Sequence, residues 1–494
     1  MRPKKAPSLT LALAPIVAMF ALMGIGSVGL GLPAEAMLIA SGIIAGVVAW
    51  SLGHRYHEMI AVIAEKIAKV MPALLILVTV GMLIGSWMAG GTIPMLIYYG
   101  LEVVSPQYIY ITALVVTSIV AICTGTSWGS AGTIGVAFMG VALGLPGVNV
   151  AIVAGAVISG AYFGDKLSPL SDSTNLAAAV TRVDLFAHIR HLLWTTVPSW
   201  AIAAVVTLVA GLVLYTPTTP GGSDQVAAIN GALSSAFTWN PLLLVPVVII
   251  IVGSMRKMPT IPVMITSSAV AMVNAITLQG FSAADTFNAA VTGFSTDMLG
   301  DGFDLGPAAS DIMRLLNRGG MASMMSTLLI AFCALCFAGI LSCMGSLDVI
   351  VGNLLRVVKS TGSLIVATIA TGALTIATTC NGQVSVLLPG ELLRPAYIRR
   401  GLHPKNLGRT VEDAGTIIEP ILPWTAAGAY MAATLGVATI AYLPWATLCW
   451  TGIIFATLWG FTGIGIQRLT PDEQARMLAE LDEEDSVSVA AVGA

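Results

Sequence analysis

The sequence predicts an all-α polytopic membrane protein with about 11–13 transmembrane or re-entrant helices, in which one pattern of parts occurs twice. Three observations carry this. Of 494 residues, 56% are hydrophobic and 10% charged, where an ordinary soluble domain has about a quarter charged. The mean hydropathy is +0.90. Apolar runs long enough to cross a bilayer recur from end to end, and two of them are over-long with polar centres.

Met1-Arg2-Pro3-Lys4-Lys5 is basic and precedes an apolar run at 9–32. That run exceeds a signal-peptide core and a second follows at once. It reads as a retained first helix with a cytoplasmic N-terminus. Further runs fall at about 34–52, 72–104, 106–144, 147–181, 194–215, 240–255, 259–277, 321–346, 361–398, 406–440 and 443–466. A straight crossing takes about 20 residues. The runs at 106–144 and 361–398 exceed that most clearly, and their Gly/Thr/Ser- and Asn/Gly-rich centres predict re-entrant or broken hairpins.

Basic segments punctuate the runs. Segment 54–69, with Arg55, Lys66 and Lys69, reads as a separate amphipathic stretch. Segments 182–191 and 255–258, the latter with Arg256 and Lys257, also fit the cytoplasmic side. The connector 278–320 is acidic, with Asp285, Asp297, Asp301, Asp304 and Asp311, and is expected outside with some surface helix. Thr470-Pro471-Asp472-Glu473 is a capping box. It opens an acidic tail, 470–494, expected as a solvated helix ending near Glu484.

Nucleic acid is excluded as a partner, since a net charge of −3 lacks a concentrated basic face. Six cysteines give no disulfide framework, and Cys333-x-x-Cys336 lies in an apolar run and reads as buried packing.

The informative residues are polar ones inside apolar runs. No Asp, Glu, Lys or Arg lies between Glu102 and Asp165, yet 123–133 holds three glycines and five hydroxyls. That density suits an unwound hairpin tip whose carbonyls and hydroxyls can ligate a hard cation. Next comes 159–175, in which Gly164 and Pro169 break a helix beside Asp165, Lys166 and Asp172. Each intramembrane charge costs at least about 2.5–3.5 kcal/mol, so these acids are read as functional. The second half repeats the order: Thr378-Thr379-Cys380-Asn381-Gly382 at the centre of a charge-free run, then 412–425 with Glu412, Asp413, Glu419, Pro420 and Pro423. A shift of 254 residues matches Asp165 to Glu419, Pro169 to Pro423 and Ser171 to Thr425. A shift of 247 matches Asp165 to Glu412 and Asp172 to Glu419. Both registers stay open at this point.

The Gly-Thr-Ser-Trp-Gly-Ser run from Gly125, the segment 159–175 with its Gly-Asp-Lys-Leu-Ser-Pro-Leu-Ser-Asp-Ser-Thr-Asn core, and the segment 412–425 resemble the NhaC family of Na⁺/H⁺ antiporters. The likeness runs over most of the chain. It implies the architecture of a wider ion-transporter superfamily: two inverted repeats, each with a helical hairpin and a broken helix. It also implies elevator motion of a transport domain against a fixed, often dimeric scaffold, which allows a homodimer. On that basis the chain, 1–494, is one transporter unit in the inner (plasma) membrane. Its transport-domain repeats are 106–183 and 360–437, and its scaffold is 1–104, 194–277 and 321–346. An inverted second repeat puts the arginine-rich connector at 394–409 outside, whereas the positive-inside rule puts it in the cytoplasm.

The expected activity is secondary Na⁺/H⁺ antiport, with the bilayer, Na⁺ and H⁺ as partners, no cofactor and no enzymatic role. Na⁺ wants oxygen ligands, and no thiol–imidazole cluster suggests a transition metal. Charge is expected from Asp172, Asp165, Glu412, Glu419 and Asp413. Neutral ligands are expected from Thr126, Ser127, Ser171, Thr174, Asn175, Thr379, Asn381 and Thr425. Asp172 ranks first because hydroxyls and an amide surround it in sequence, and Lys166 is read as the charge partner of Asp165. His188 and His191 are expected at the interface. The family also contains malate and lactate exchangers, so a Na⁺-coupled organic-anion exchanger or amino-acid carrier is the alternative. Such a site wants an arginine. None lies in either broken segment, and Arg409 is nearest. An intramembrane enzyme lacks a motif such as His-Glu-x-x-His, and a channel would show uncoupled conductance.

Overall fold

In a bilayer core each backbone group must find its partner within the segment, which helices achieve. The computed structural model describes residues 5–215, 222–300, 309–356 and 358–492. Among these the chain is helical, with one isolated bridge between Leu402 and Arg468. Met1 to Lys4 of the basic N-terminus, and Asp301 and Asp304 of the acidic connector, lie outside the described residues.

Ser8 caps α1 (Leu9–Ala21) by accepting from the Leu11 N–H, and the helix runs on through a π-helical stretch to Gly29. α2 (Ala34–Ser51) returns beside it. α3 (Tyr56–Ala89) is 34 residues long, about 50 Å at 1.5 Å per residue. It absorbs the amphipathic segment at 54–69, which the sequence reading had set apart. Glu65 and Lys69 pair at 2.7 Å one turn apart on an exposed face, so charge there decorates the helix without ending it. α4 (Thr92–Val103) turns back after Gly91.

The first hairpin is α5 (Ile109–Thr124) followed by α6 (Ser127–Ser130), a π turn at Ala131–Gly135 and α7 (Val136–Gly144). The first broken helix is α8 (Val150–Leu167) and α9 (Asp172–Thr181). α10 (Leu185–Val213) follows and packs on α5 and α8. α11 (Gly222–Ala236) and the stretch ending in α12 (Val245–Met255) meet at a 103° bend. Then come α13 (Thr260–Thr277), α14 (Ala283–Thr292), α15 (Ala309–Leu316), α16 (Met325–Cys343) and α17 (Ser346–Arg356).

The second hairpin is α18 (Thr361–Thr379) and α19 (Gly382–Arg399). The second broken helix is α20 (Pro404–Val411), a π turn at Glu412–Thr416, a short turn at Glu419–Ile421 and α21 (Ala426–Leu435). α22 (Thr439–Tyr442), α23 (Thr447–Thr462) and α24 (Pro471–Val492) complete the chain. Ten helices among the described residues are long and apolar enough to cross a membrane, or eleven if the bent pair is one span. Val197, Val205, Val209 and Leu212 of α10 are exposed at helical spacing, as a lipid-facing stripe requires.

The acidic connector is docked rather than loose. The Gly320 N–H donates to the Gly81 carbonyl of α3 at 2.7 Å, and the Phe294 N–H to the Arg318 carbonyl at 3.1 Å. Small residues permit this close approach of backbones. The tail also departs from expectation. Its capping box forms, with the Thr470 N–H on Glu473 at 2.9 Å and the Glu473 N–H on the Thr470 hydroxyl at 3.3 Å. The helix continues beyond Glu484 to Val492. The tail is anchored, not free: Gln474 donates to the Ile398 carbonyl at 2.9 Å, Leu469 N–H to Gly401 and His403 N–H to Gln467. Gln474 thereby satisfies carbonyls that the end of α19 leaves open.

Candidate functional site

Both hairpin tips are built alike. α5 ends on Gly125 in the left-handed region (φ 69°), and Thr126 then caps α6 by accepting the Gly129 N–H at 3.2 Å. α18 ends on Cys380, also left-handed (φ 55°), and Asn381 caps α19 by accepting the Val384 N–H at 3.1 Å. Glycine suits the first tip doubly, since a Cβ there would lie 2.5 Å from that of Leu170 in the break.

The breaks match as well. α8 stops at Leu167, and Ser171 caps α9 by accepting the Thr174 N–H at 3.4 Å. The turn Glu419–Ile421 stops, and Thr425 caps α21 by accepting the Gly428 N–H at 3.1 Å. Ser171 and Thr425 stand in the register of 254 residues. Each break also ties down its own tip: Ser168 Oγ donates to the Ile122 carbonyl at 2.8 Å, and Trp424 Nε1 to the Ala377 carbonyl at 3.1 Å.

Two carboxylates sit where break meets tip. Asp165 is half-buried and accepts from the Ser127 hydroxyl at 2.8 Å. The Ser171 side chain lies close by. Glu419 is buried, and its carboxylate lies against Gly382, with the Ala427 backbone nearby. In both cases the acid meets the first residue of the second hairpin arm, where a helix N-terminus favours negative charge. Tyr162, one turn before Asp165 on the same helix face, lies within electrostatic reach of both acids. Hydroxyls, carbonyls and carboxylates are the donor set of a hard cation.

A second polar cluster lies across from the first. Lys166, 2% exposed, is ion-paired with Asp413, which is 0% exposed and also accepts from Thr195 Oγ1 at 3.2 Å. His188 Nε2 and Glu412 Oε1 are 2.8 Å apart and both fully buried. The π turn at Glu412–Thr416 sets these two acids side by side, and such turns recur at functional sites. Adjacent helix positions point about 100° apart, so Asp165 faces the first tip while Lys166 faces the second half.

Three expectations are corrected here. Lys166 does not neutralise its neighbour Asp165; it pairs with Asp413. His188 is not interfacial, because α10 places it inside against Glu412, and His191 is also buried, on Asn406 at 3.2 Å. Asp172 is exposed at the first position of α9. The groups expected around it serve the break's own backbone: Asn175 donates to the Pro169 and Ser171 carbonyls, and Thr174 to the Lys166 carbonyl. Thr379 donates to the Thr375 carbonyl and Thr425 to that of Glu419.

Trp128 and Tyr430 escaped the sequence reading. Their rings stack at 4.3 Å, and the Tyr430 hydroxyl donates to the Trp128 carbonyl at 2.8 Å, so the second broken helix holds the first tip. The tryptophan stood in a quoted motif, but its partner lies 302 residues away.

Two results follow. Ser127→Ala removes the hydroxyl on Asp165 and is expected to raise the KM for Na⁺ roughly 5- to 10-fold, as loss of a charge-assisted bond implies. Initial rates against Na⁺ concentration read this. Gly382→Ala drives a Cβ into Glu419 Oε2, well inside contact distance. It is expected to lower maximal transport at least tenfold through about 1–3 kcal/mol of overpacking, with elution on a sizing column unchanged.

A match to the Na⁺/H⁺ antiporter family covers residues 160–464. An uncharacterized Na⁺/H⁺ antiporter of Haemophilus influenzae is 57% identical over 94% of this chain and 98% of its own. The Na⁺/H⁺ antiporter NhaC of Alkalihalophilus pseudofirmus is 40% identical over 79% of this chain and 82% of its own. A malate-2H⁺/Na⁺-lactate antiporter of Bacillus subtilis is 36% identical over 88% of this chain and 91% of its own.

Proposed function

Because the chain belongs to the Na⁺/H⁺ antiporter family, we propose that it exchanges Na⁺ for H⁺ across the plasma membrane, with Asp165 and Glu419 as the carboxylates at which the two ions compete. One observation carries this reading. Each acid lies between a helix break and a hairpin tip: Asp165 accepts from the Ser127 hydroxyl at the first tip, and Glu419 lies against Gly382 at the second. A carboxylate so placed holds a proton or a cation, and competition for it couples the two fluxes without a separate relay. Thr126, Ser127, Ser171, Asn381 and Thr425 supply neutral oxygens close by. Asp172 is left as a favourable charge on the α9 dipole.

Repetition of the cap geometry at 254 residues in the breaks and 255 at the tips supports reading 106–183 and 360–437 as two repeats, inverted as the family resemblance implies. In an elevator they form the moving unit. α10 bears on its boundary: placed in the scaffold by sequence, it packs on α8 and α20 and sends His188 and Thr195 to Glu412 and Asp413. We assign it to the moving unit, against α1–α4 and α11–α17 as scaffold.

The test is the purified protein in vesicles loaded with a pH dye, given Na⁺, Li⁺ and K⁺ in turn. Na⁺-driven alkalinisation without any organic acid is the expected result. A signal that requires malate or lactate would instead establish the organic-anion reading, which the Bacillus subtilis relative at 36% identity keeps in view. The buried Arg409 donates through Nη1 to the Gly465 carbonyl at 2.9 Å and leaves Nε and Nη2 without a partner, so its substitution belongs in that arm of the test.

A further inference from the structure

A tyrosine taken into a protein interior normally finds a partner for its hydroxyl, because a buried polar group left unpaired is destabilising. Four buried tyrosines here follow that rule. The Tyr110 hydroxyl accepts from the Asn149 N–H, that of Tyr397 bonds with Thr368, and those of Tyr430 and Tyr442 donate to the Trp128 and Pro420 carbonyls. Tyr162 departs from it among the described residues. Its side chain is 5% exposed, and its hydroxyl is shut off from solvent with no hydrogen-bond partner in the fold.

The place of that hydroxyl gives it a use. α8 carries Tyr162 one turn before Asp165, so the two side chains are neighbours on the helix surface. The ring is packed in the apolar core, which fixes the oxygen at its tip. The Ser127 side chain lies close to that oxygen, and Asp165 and Glu419 are within its electrostatic reach. Ser127, the first residue of α6, donates to Asp165 at 2.8 Å. A phenol oxygen, a serine hydroxyl and a carboxylate thus converge at the first hairpin tip. A phenol adds a hard oxygen without adding charge, so one carboxylate still faces one monovalent cation.

We propose that the Tyr162 hydroxyl is a direct ligand of the transported cation at Asp165, forming with Ser127 a three-oxygen site at the first tip. The inference rests on Asp165 being a coupling acid, and it adds the residue that strengthens the hold of that acid on Na⁺. Serine hydroxyls at a hairpin tip can turn, whereas an oxygen on a packed ring stays where the core puts it. A ligand held in this way needs no reordering when the cation arrives, so its whole attraction goes into binding. A water molecule could satisfy the same hydroxyl, and the measurement below separates the two occupants.

The experiment reads Na⁺ binding without transport. The thermal midpoint of the full chain in detergent is followed by tryptophan fluorescence while NaCl replaces choline chloride at constant ionic strength. A ligand that binds the folded state alone raises the midpoint as it occupies its site. Tyr162→Phe removes one oxygen and keeps the ring. It is expected to raise the half-maximal Na⁺ concentration at least about fivefold. Its midpoint in Na⁺-free buffer should equal or exceed that of the unaltered protein, because no bond within the fold is lost. An unchanged Na⁺ response in Tyr162→Phe overturns the proposal and leaves water as the partner of the hydroxyl. A lower midpoint in Na⁺-free buffer also overturns it, since that marks the hydroxyl as part of the fold. Asp165→Asn, measured in parallel, keeps the two readings apart. If it loses the Na⁺ response while Tyr162→Phe keeps it, only the ligand assignment falls. If Asp165→Asn responds as the unaltered protein does, the coupling reading falls, and the ligand assignment with it.

Discussion

Asp165→Asn reduces Na⁺-driven proton movement at least about 100-fold in the vesicle assay, with expression and elution unchanged. The carboxamide keeps the shape and can still accept the Ser127 hydroxyl, so the fold around the tip survives. What it loses is charge. Pairing a buried cation with a buried anion is worth about 3–5 kcal/mol against leaving one of them alone, and about 1.4 kcal/mol corresponds to tenfold. A Na⁺ arriving at the neutral amide finds hydroxyls and carbonyls only. Asp165→Glu, which preserves charge but shifts it by one methylene, should instead raise the KM and keep measurable exchange. Glu419→Gln should behave as Asp165→Asn does, since its carboxylate occupies the matching place against Gly382 at the second tip. Full exchange in either neutral variant removes that residue from the coupling site.

Lys166→Met should be the most damaging substitution for stability. It leaves Asp413, fully buried, with one hydrogen bond, from the Thr195 hydroxyl, and its second oxygen without a partner. Breaking such a pair from one side costs about 3–5 kcal/mol, while replacing both members with neutral groups is close to neutral. The double variant Lys166→Met with Asp413→Asn is therefore expected to recover most of the lost thermal midpoint. Unfolding followed by tryptophan fluorescence in detergent, for both singles and the double, supplies the cycle. If the double is no more stable than Lys166→Met alone, the pair is not coupled as the geometry indicates.

Much of this arrangement was legible in residue order. A charge-free run with a hydroxyl- and glycine-rich centre cannot continue as a plain helix, and both such centres are hairpin tips. Gly164, Pro169, Pro420 and Pro423 advertised the breaks, and the acids beside them were singled out for their cost in lipid. What residue order could not reveal was which acid each neighbour serves. Asp165 and Lys166 are adjacent in sequence but face different halves, because one step along a helix rotates the side chain by about 100°. The shift of 247 residues, weighed as a repeat register, turns out to be the separation of a contact, Lys166 with Asp413. The shift of 254 aligns the caps of the two breaks, Ser171 and Thr425, while the tip caps Thr126 and Asn381 stand 255 apart. Asp172 looked crowded by hydroxyls, yet those hydroxyls were already engaged by a backbone that the break had left unpaired. His188 was judged by its charged neighbours in sequence, while its surroundings are set by α20, more than 200 residues later.

The strap that joins Leu469, Gln467 and Gln474 to the 398–403 turn has a use in orienting the molecule. Whatever compartment holds one of these segments holds the other. A single fluorescent reporter fused behind α24, of a kind that matures only in the cytosol, thus reads the sidedness of the arginine-rich turn with no insertion near it. A dark fusion would set that turn in the periplasm despite its positive charge.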